Sequence, residues 1–194
     1  MRKDNLMTPV IILSLICLIT TGLLSLTFSV TLEAREMQAE LAANANRQQL
    51  FPEAASFEAD PGLVAAAADF PGLSEAYTAK DASGTVAGFL FVSSYQGYSS
   101  AVPVMLAISP DGMIAGIKIL ANDETPGLGK KVEQASFYRQ FLNMDTSKNF
   151  SVKATDSGSK IIDAVAGATI SSRAVTEAVN VAVSYYRKFM TEVK

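Results

Sequence analysis

Residues 5–32 carry no charged side chain, an uncharged run of 28 residues. A helix needs roughly 20 apolar residues to cross the hydrocarbon core of a bilayer. The run therefore predicts a membrane span, and whatever follows must build a hydrophobic core of its own. Arg2 and Lys3 precede it, while Glu33, Arg35, Glu36 and Glu40 follow. Basic residues before the span predict a cytoplasmic N-terminus, with everything after Leu32 outside the cytoplasm. A cleaved signal peptide is the rival reading, because Ala43-Asn44-Ala45 resembles a cleavage site. That site lies well past the run, and the run exceeds a typical apolar signal core. Cys17 follows Leu15-Ile16 with no small residue just before it, which argues against lipoprotein processing.

In 194 residues there is room for this span and one domain of ordinary size. Residues 33–49 are rich in Ala, Glu, Gln and Leu, good helix formers, and predict a polar helical stalk. The expected organisation is a cytoplasmic segment over 1–8, a membrane helix over 9–32, a stalk over 33–50 and one extracytoplasmic domain over 51–194.

What the chain lacks limits its chemistry. It has no His and a single Cys, and that Cys lies inside the span. Zinc and haem sites of the usual kind, cysteine-ligated clusters, an intramolecular disulfide and Ser-His or Cys-His catalytic pairs are thereby removed. Redox chemistry here requires an organic cofactor. Without Arg2, Lys3 and Asp4, the totals of 16 Lys+Arg and 19 Asp+Glu fall to 14 and 18. Nucleic acid is not an expected partner of such a mildly acidic surface.

The segment after Phe51-Pro52-Glu53, with Phe57, Leu63 and Phe70, predicts short helices and turns covering one side of a core. Over 75–121 the signals become β, with apolar, β-branched runs at 86–92, 102–108 and 113–120. Asp81-Ala82-Ser83-Gly84 and Ser109-Pro110-Asp111-Gly112 supply turns between them, which predicts an antiparallel meander. Residues 135–142 predict a short helix turning Phe137, Phe141 and Leu142 inward. Over 172–193, Val175, Ala178, Val179, Ala182, Tyr186 and Phe189 recur at helical spacing, with Ser172 as N-cap. A long C-terminal helix on an antiparallel sheet makes the expected fold class α+β.

Two segments hold glycines and hydroxyls that neither periodicity demands. In Glu124-Thr125-Pro126-Gly127-Leu128-Gly129-Lys130-Lys131, the glycines permit positive φ and close approach by a planar ligand, although a tight surface connection explains them equally. In Asp163-Ala164-Val165-Ala166-Gly167-Ala168-Thr169-Ile170-Ser171-Ser172-Arg173, small residues run into the C-terminal helix, whose exposed N–H groups suit a phosphate. On the residues alone, Ser171 and Ser172 are better explained as helix caps.

Together these segments resemble the FMN-binding domain family, whose flavinylation motif is an Asp followed by Ser or Thr, Gly, Ala and an acceptor Thr. Gly167-Ala168-Thr169, six residues after Asp163, matches it, while Ala166 stands where the family usually has a hydroxyl residue. Glu124-Thr125-Pro126-Gly127-Leu128-Gly129 resembles the loop that lies against the flavin ring. Tyr95-Gln96-Gly97-Tyr98, Pro103-Val104, the Asp-Gly hairpin and the single span are similar to the G subunit of the Rnf electron-transport complex. Asn122 stands near a position where relatives often have His.

The resemblance implies one-electron transfer by an FMN esterified through its phosphate to Thr169. It implies ring contacts from Thr125 and Leu128, backbone access at Gly127 and Gly129, and a site completed by Glu124, Gly167, Ala168, Ile170 and Ser171. Lys131 is implied as a nearby charge, and Asp163 as a residue serving the attaching enzyme or orienting the loop. No residue is expected to catalyse alone. The implied partners are other subunits of an ion-translocating ferredoxin:NAD+ oxidoreductase in the inner membrane, and a membrane flavin transferase that draws on FAD. The alternatives are the flavin subunit of a sodium-pumping NADH:quinone reductase, and an anchored scaffold without redox activity.

Overall fold

The computed structural model describes residues 7–66, 68–153 and 158–190. Arg2 and Lys3, on which the expected orientation rests, and the end of the expected C-terminal helix at Val193 lie outside them. The chain divides into two compact units, Met1–Ala45 and Asn46–Lys194.

The first unit holds most of α1 (Met7–Leu50), a single helix of 44 residues. Its most apolar window has a mean hydropathy of 2.4, so it is long and apolar enough to cross a membrane. Four of its hydroxyls, on Thr20, Thr27, Ser29 and Thr31, are satisfied locally. Thr20 donates to the Ile16 carbonyl, Thr27 to Leu23 and Thr31 to Thr27, each at 2.8 Å. Back-bonding of this kind spares a polar side chain the cost of entering hydrocarbon unpaired.

The second unit is built on a five-stranded antiparallel meander in the order β1 (Ser56–Ala59), β2 (Leu73–Lys80), β3 (Val86–Gln96), β4 (Ala101–Ile108) and β5 (Ile114–Ile119). A four-residue helix, α2 (Leu63–Ala66), joins β1 to β2. After β5 come a 3-10 turn (Gly129–Glu133), the short α3 (Ala135–Tyr138) and a second 3-10 turn (Arg139–Phe141). Two parallel two-residue strands follow, β6 (Phe150–Ser151) and β7 (Lys160–Ile161). The chain then runs through α4 (Thr169–Tyr185) into a π turn (Tyr186–Met190).

Alternation along β3 and β4 buries both faces of the sheet, because successive side chains point to opposite sides. Phe89, Phe91, Val102, Val104, Leu106 and Ile108 join one core with Val175, Ala178, Val179 and Ala182 of α4. Leu90, Val92, Met105 and Ala107 form the second core with Phe51 and Ala54, and Leu50 packs against it. Ser93, fully buried on β3, donates to the Ala178 carbonyl of α4 at 2.7 Å and so satisfies the one hydroxyl that faces the helix there. Arg47, at the end of α1, reaches β2 through Glu75 Oε2 at 2.9 Å and the Tyr77 hydroxyl at 2.7 Å.

The α+β class, the meander and the long C-terminal helix match the sequence reading, and four details do not. The region 51–74 contains β1 and the start of β2 besides the expected short helix, and β2 was not among the expected runs. The expected helix over 135–142 is one α turn continued by a 3-10 turn, although Phe137 and Phe141 are buried as predicted. Phe189 is 38% exposed at the rim of the core, with its ring centroid 4.8 Å from that of Tyr185 and 5.9 Å from that of Phe70. Ser172 lies inside α4, whose N-cap is Ala168.

Candidate functional site

Three segments meet where α4 begins. The first is the β3–β4 connection, a tight turn closed by the Gly97 N–H to the Ser100 carbonyl at 2.8 Å. The second is the loop after β5, in which the Thr125 carbonyl accepts from the N–H groups of Leu128 and Lys130, both at 3.2 Å. The third is the run 163–168 into α4. Between them lies a cavity of about 430 Å³.

Glu124 and Ser171 join these segments at the back of the cavity. Ser171 Oγ donates to Glu124 Oε2 at 2.6 Å, and the Ser99 N–H donates to Glu124 Oε1 at 3.0 Å. Burial opposes ionisation of the Glu124 carboxyl. The Ser171 hydroxyl and the backbone N–H groups of Ser99, Ser100 and Tyr98 outweigh it, so the carboxyl sits below its ordinary range. Glu124 is therefore a carboxylate at neutral pH despite being 1% exposed.

The front of the cavity is apolar and open. Tyr98, Leu128 and Ile170 line it, exposed by 70%, 48% and 43%. Leu128 faces Gly167, where a Cβ would stand 3.4 Å from Leu128 Cδ2. Gly167 has φ +78°, a conformation that side chains other than glycine rarely adopt.

Thr169 is the first residue of α4, and its side chain is exposed. No side chain caps this helix, because Ala168 at the N-cap has none to offer. The two serines that might have capped it are engaged elsewhere. Ser172 Oγ accepts from the Val165 N–H at 3.0 Å, bending 165–168 back over the helix start, while Ser171 is turned to Glu124. The first-turn N–H groups and the positive end of the helix dipole are left facing the cavity, an arrangement that favours an anion.

Of the residues singled out in the sequence, Glu124, Thr125, Leu128, Gly129, Gly167, Ala168, Thr169, Ile170 and Ser171 line this one cavity. Gly127 and Lys131 do not. Gly127 has φ +75° with nothing within 4 Å of its missing Cβ, so its need for glycine is conformational. Lys131 is exposed on the 3-10 turn. Asp163 lies off the cavity and is also exposed, and its backbone is held at both ends by Gln140. The Asp163 N–H donates to Gln140 Oε1 at 2.8 Å, and Gln140 Nε2 donates to the Asp163 carbonyl at 3.1 Å. Tyr98 lines the cavity without having been assigned to the site, although Gly97-Tyr98 stood out as part of the resemblance.

Comparison with known proteins agrees with this geometry. Residues 97–184 match the FMN-binding domain family, a stretch that contains both motifs and the cavity. The G subunit of the ion-translocating oxidoreductase complex of Pseudoalteromonas atlantica is 32% identical over 91% of this chain and 86% of its own. This chain belongs to the G-subunit family of ion-translocating oxidoreductase complexes. The G subunit of the Na+-translocating ferredoxin:NAD+ oxidoreductase complex of Acetobacterium woodii is 35% identical over 81% of this chain and 78% of its own. The corresponding G subunit from Methanosarcina acetivorans is 31% identical over 95% and 97%. The fold is also that of the C subunit of the Na+-translocating NADH-quinone reductase from Parabacteroides distasonis, with a TM-score of 0.52 and 22% identity over 66% of this chain and 67% of that one.

Proposed function

We propose that this member of the G-subunit family is the FMN-bearing electron-transfer component of a membrane-bound ion-translocating oxidoreductase, with FMN held as a phosphoester on Thr169. The observation that carries the reading is the exposed Thr169 at an uncapped helix start, beside a cavity with apolar walls. The group fits the residues present. The first-turn N–H groups of α4 would hold the phosphate, and Leu128, Ile170 and Tyr98 offer apolar surface to a planar ring. Gly167 keeps the approach to Thr169 open. When bound, FMN supplies reversible electron acceptance; the protein supplies its position, its partial shielding from water and the surrounding charge.

Attachment follows from the same geometry. Thr169 Oγ1 would take the FMN phosphoryl group from FAD on a membrane flavin transferase. One P–O ester bond forms while the pyrophosphate bond to AMP breaks; AMP leaves and the hydroxyl proton passes to solvent. The relatives are named as subunits of ion-translocating oxidoreductase complexes; in this reading other subunits would bring the electrons and move the ion. We assign residues 9–32 to the bilayer, 33–50 to a stalk and 51–194 to the extracytoplasmic side.

The test is peptide mass spectrometry across 163–173. The native peptide should carry one FMN less one water on Thr169, and Thr169→Val none. Valine keeps the β-branched shape and deletes only the acceptor oxygen. Retention of the increment in that variant, on Ser171 or Ser172, would sink the assignment.

A further inference from the structure

We propose that the buried carboxylate of Glu124 is the positioning residue that assembles this site before any cofactor arrives, and the fixed negative charge against which the cofactor is later reduced. The first half stands on the chain alone; the second rests on the FMN reading.

The geometry leaves little else for this side chain to do. Each oxygen is committed to a different segment, Oε1 to the Ser99 N–H and Oε2 to the Ser171 hydroxyl, while the backbone of Glu124 belongs to the third. One residue thus ties the β3–β4 turn, the loop after β5 and the first turn of α4. Ser100 Oγ adds a second tie by accepting from the Asp123 N–H at 3.3 Å.

Two glycines make the room. A Cβ on Gly129 would stand 2.5 Å from Glu124 Oε2 and 2.9 Å from Ser171 Oγ. A Cβ on Gly97 would collide with Glu124 Oε1 and lie 2.8 Å from the Ser100 carbonyl oxygen. The carboxylate is clasped between backbones from two segments, at separations no other residue type permits.

Its charge is not neutralised by a neighbour. Among the described residues no Lys or Arg forms an ion pair with it. Lys130 and Lys118, equally near in sequence, turn elsewhere, Lys130 to the Asn122 carbonyl at 2.7 Å and to Glu133 at 3.2 Å, and Lys118 to Gln49 at 2.6 Å. Hydrogen bonds alone hold a buried anion at the wall of the cavity, where low polarisability lets its field act. An electron added beside it is disfavoured, so Glu124 lowers the potential of whatever redox group the cavity holds.

Two substitutions separate the halves. Glu124→Gln keeps the ties, with Oε1 accepting from Ser99 and Nε2 donating to Ser171 Oγ, and removes only the charge. Glu124→Ala removes both. In the intact chain carrying Thr169→Val, which has no ester site, hydrogen exchange at Ser99 should quicken about tenfold or more with Glu124→Ala and hardly change with Glu124→Gln. Unchanged exchange in a folded Glu124→Ala protein overturns the positioning role. If that variant does not fold, Ser171→Ala carries this arm by removing one tie, with faster exchange expected across 124–129 and unchanged exchange overturning the role. In the FMN-loaded chain, Glu124→Gln should raise the midpoint potential while the mass increment stays on Thr169. An equal or lower potential overturns the charge role. A wild-type chain without that increment defeats the FMN reading and leaves the exchange result standing.

Discussion

Asn180 on α4 serves Phe150 as a neighbouring strand would. Its Nδ2 donates to the Phe150 carbonyl at 2.9 Å, and its Oδ1 accepts from the Phe150 N–H at 2.8 Å. Both residues are buried, and the pair fastens β6 to the helix whose N-terminus builds the cavity.

Asn180→Leu keeps the branched outline, with somewhat more bulk, and leaves two buried backbone groups without partners. Each costs about 1–3 kcal/mol, so the variant should lose about 2–6 kcal/mol. Urea unfolding of the intact chain in detergent measures it; a loss within experimental error would mean that water or a shifted loop replaces the amide.

Acid should loosen the site through Glu124. Its carboxyl lies below the ordinary 4.5 in the folded chain, so the unfolded state takes up this proton first as the pH falls. The stability it contributes is complete above about 4.5, the ordinary value, and declines as pH falls through the lower folded value. Glu124→Gln should flatten that acid limb of the stability profile by lowering the neutral plateau toward the acid value, with little change at the acid end. A limb of equal slope in the variant would assign the acid sensitivity to other carboxylates.

Gly127 and Gly129 should part company under substitution by alanine. At Gly127 the cost is the positive φ, about 1–2 kcal/mol, with no group displaced and the visible spectrum of the loaded protein unchanged. At Gly129 the methyl group meets Glu124 and Ser171 Oγ, so the spectrum or midpoint potential should shift while the ester on Thr169 survives. Identical spectra for the two variants would show that the Glu124 clasp does not reach the ring.

Orientation is testable without the cofactor. A reporter active only outside the cytoplasm, fused after the last residue, should be active, since Arg2 and Lys3 precede the span. Activity of a cytoplasm-only reporter at that position would place Thr169 on the wrong side for the proposed maturation.

Much of this was readable in the sequence because it rests on period and punctuation. The uncharged run, the β-rich runs of β3 to β5 and the helical stripe of α4 all appear where strong patterning predicts them. β2 escaped because its buried positions, Leu73, Ala76 and Ala79, are mostly small and do not alternate, and β1 because it is four residues long and largely exposed. At the site, hydroxyls and glycines marked both motifs, but their division of labour was hidden. Ser172 looked like a cap because a Ser before an apolar stripe usually is one; its oxygen instead holds the Val165 N–H, a bond set by how 163–168 folds back. Glu124 was placed in the site by the resemblance, but its burial was not legible, because it depends on Gly97, distant in sequence, as well as on Gly129. Long-range closure of that kind leaves no local period to read.

The bare start of α4 has a consequence for the life of the protein. An alanine at the N-cap forgoes about 1 kcal/mol that Ser or Asp would contribute there. A phosphoester on Thr169 would bring its negative charge to those same N–H groups. Under the proposed reading, maturation therefore completes the helix start: the ester supplies the anionic partner that Ala168 cannot, and the loaded chain outlasts the bare one by the stability this adds.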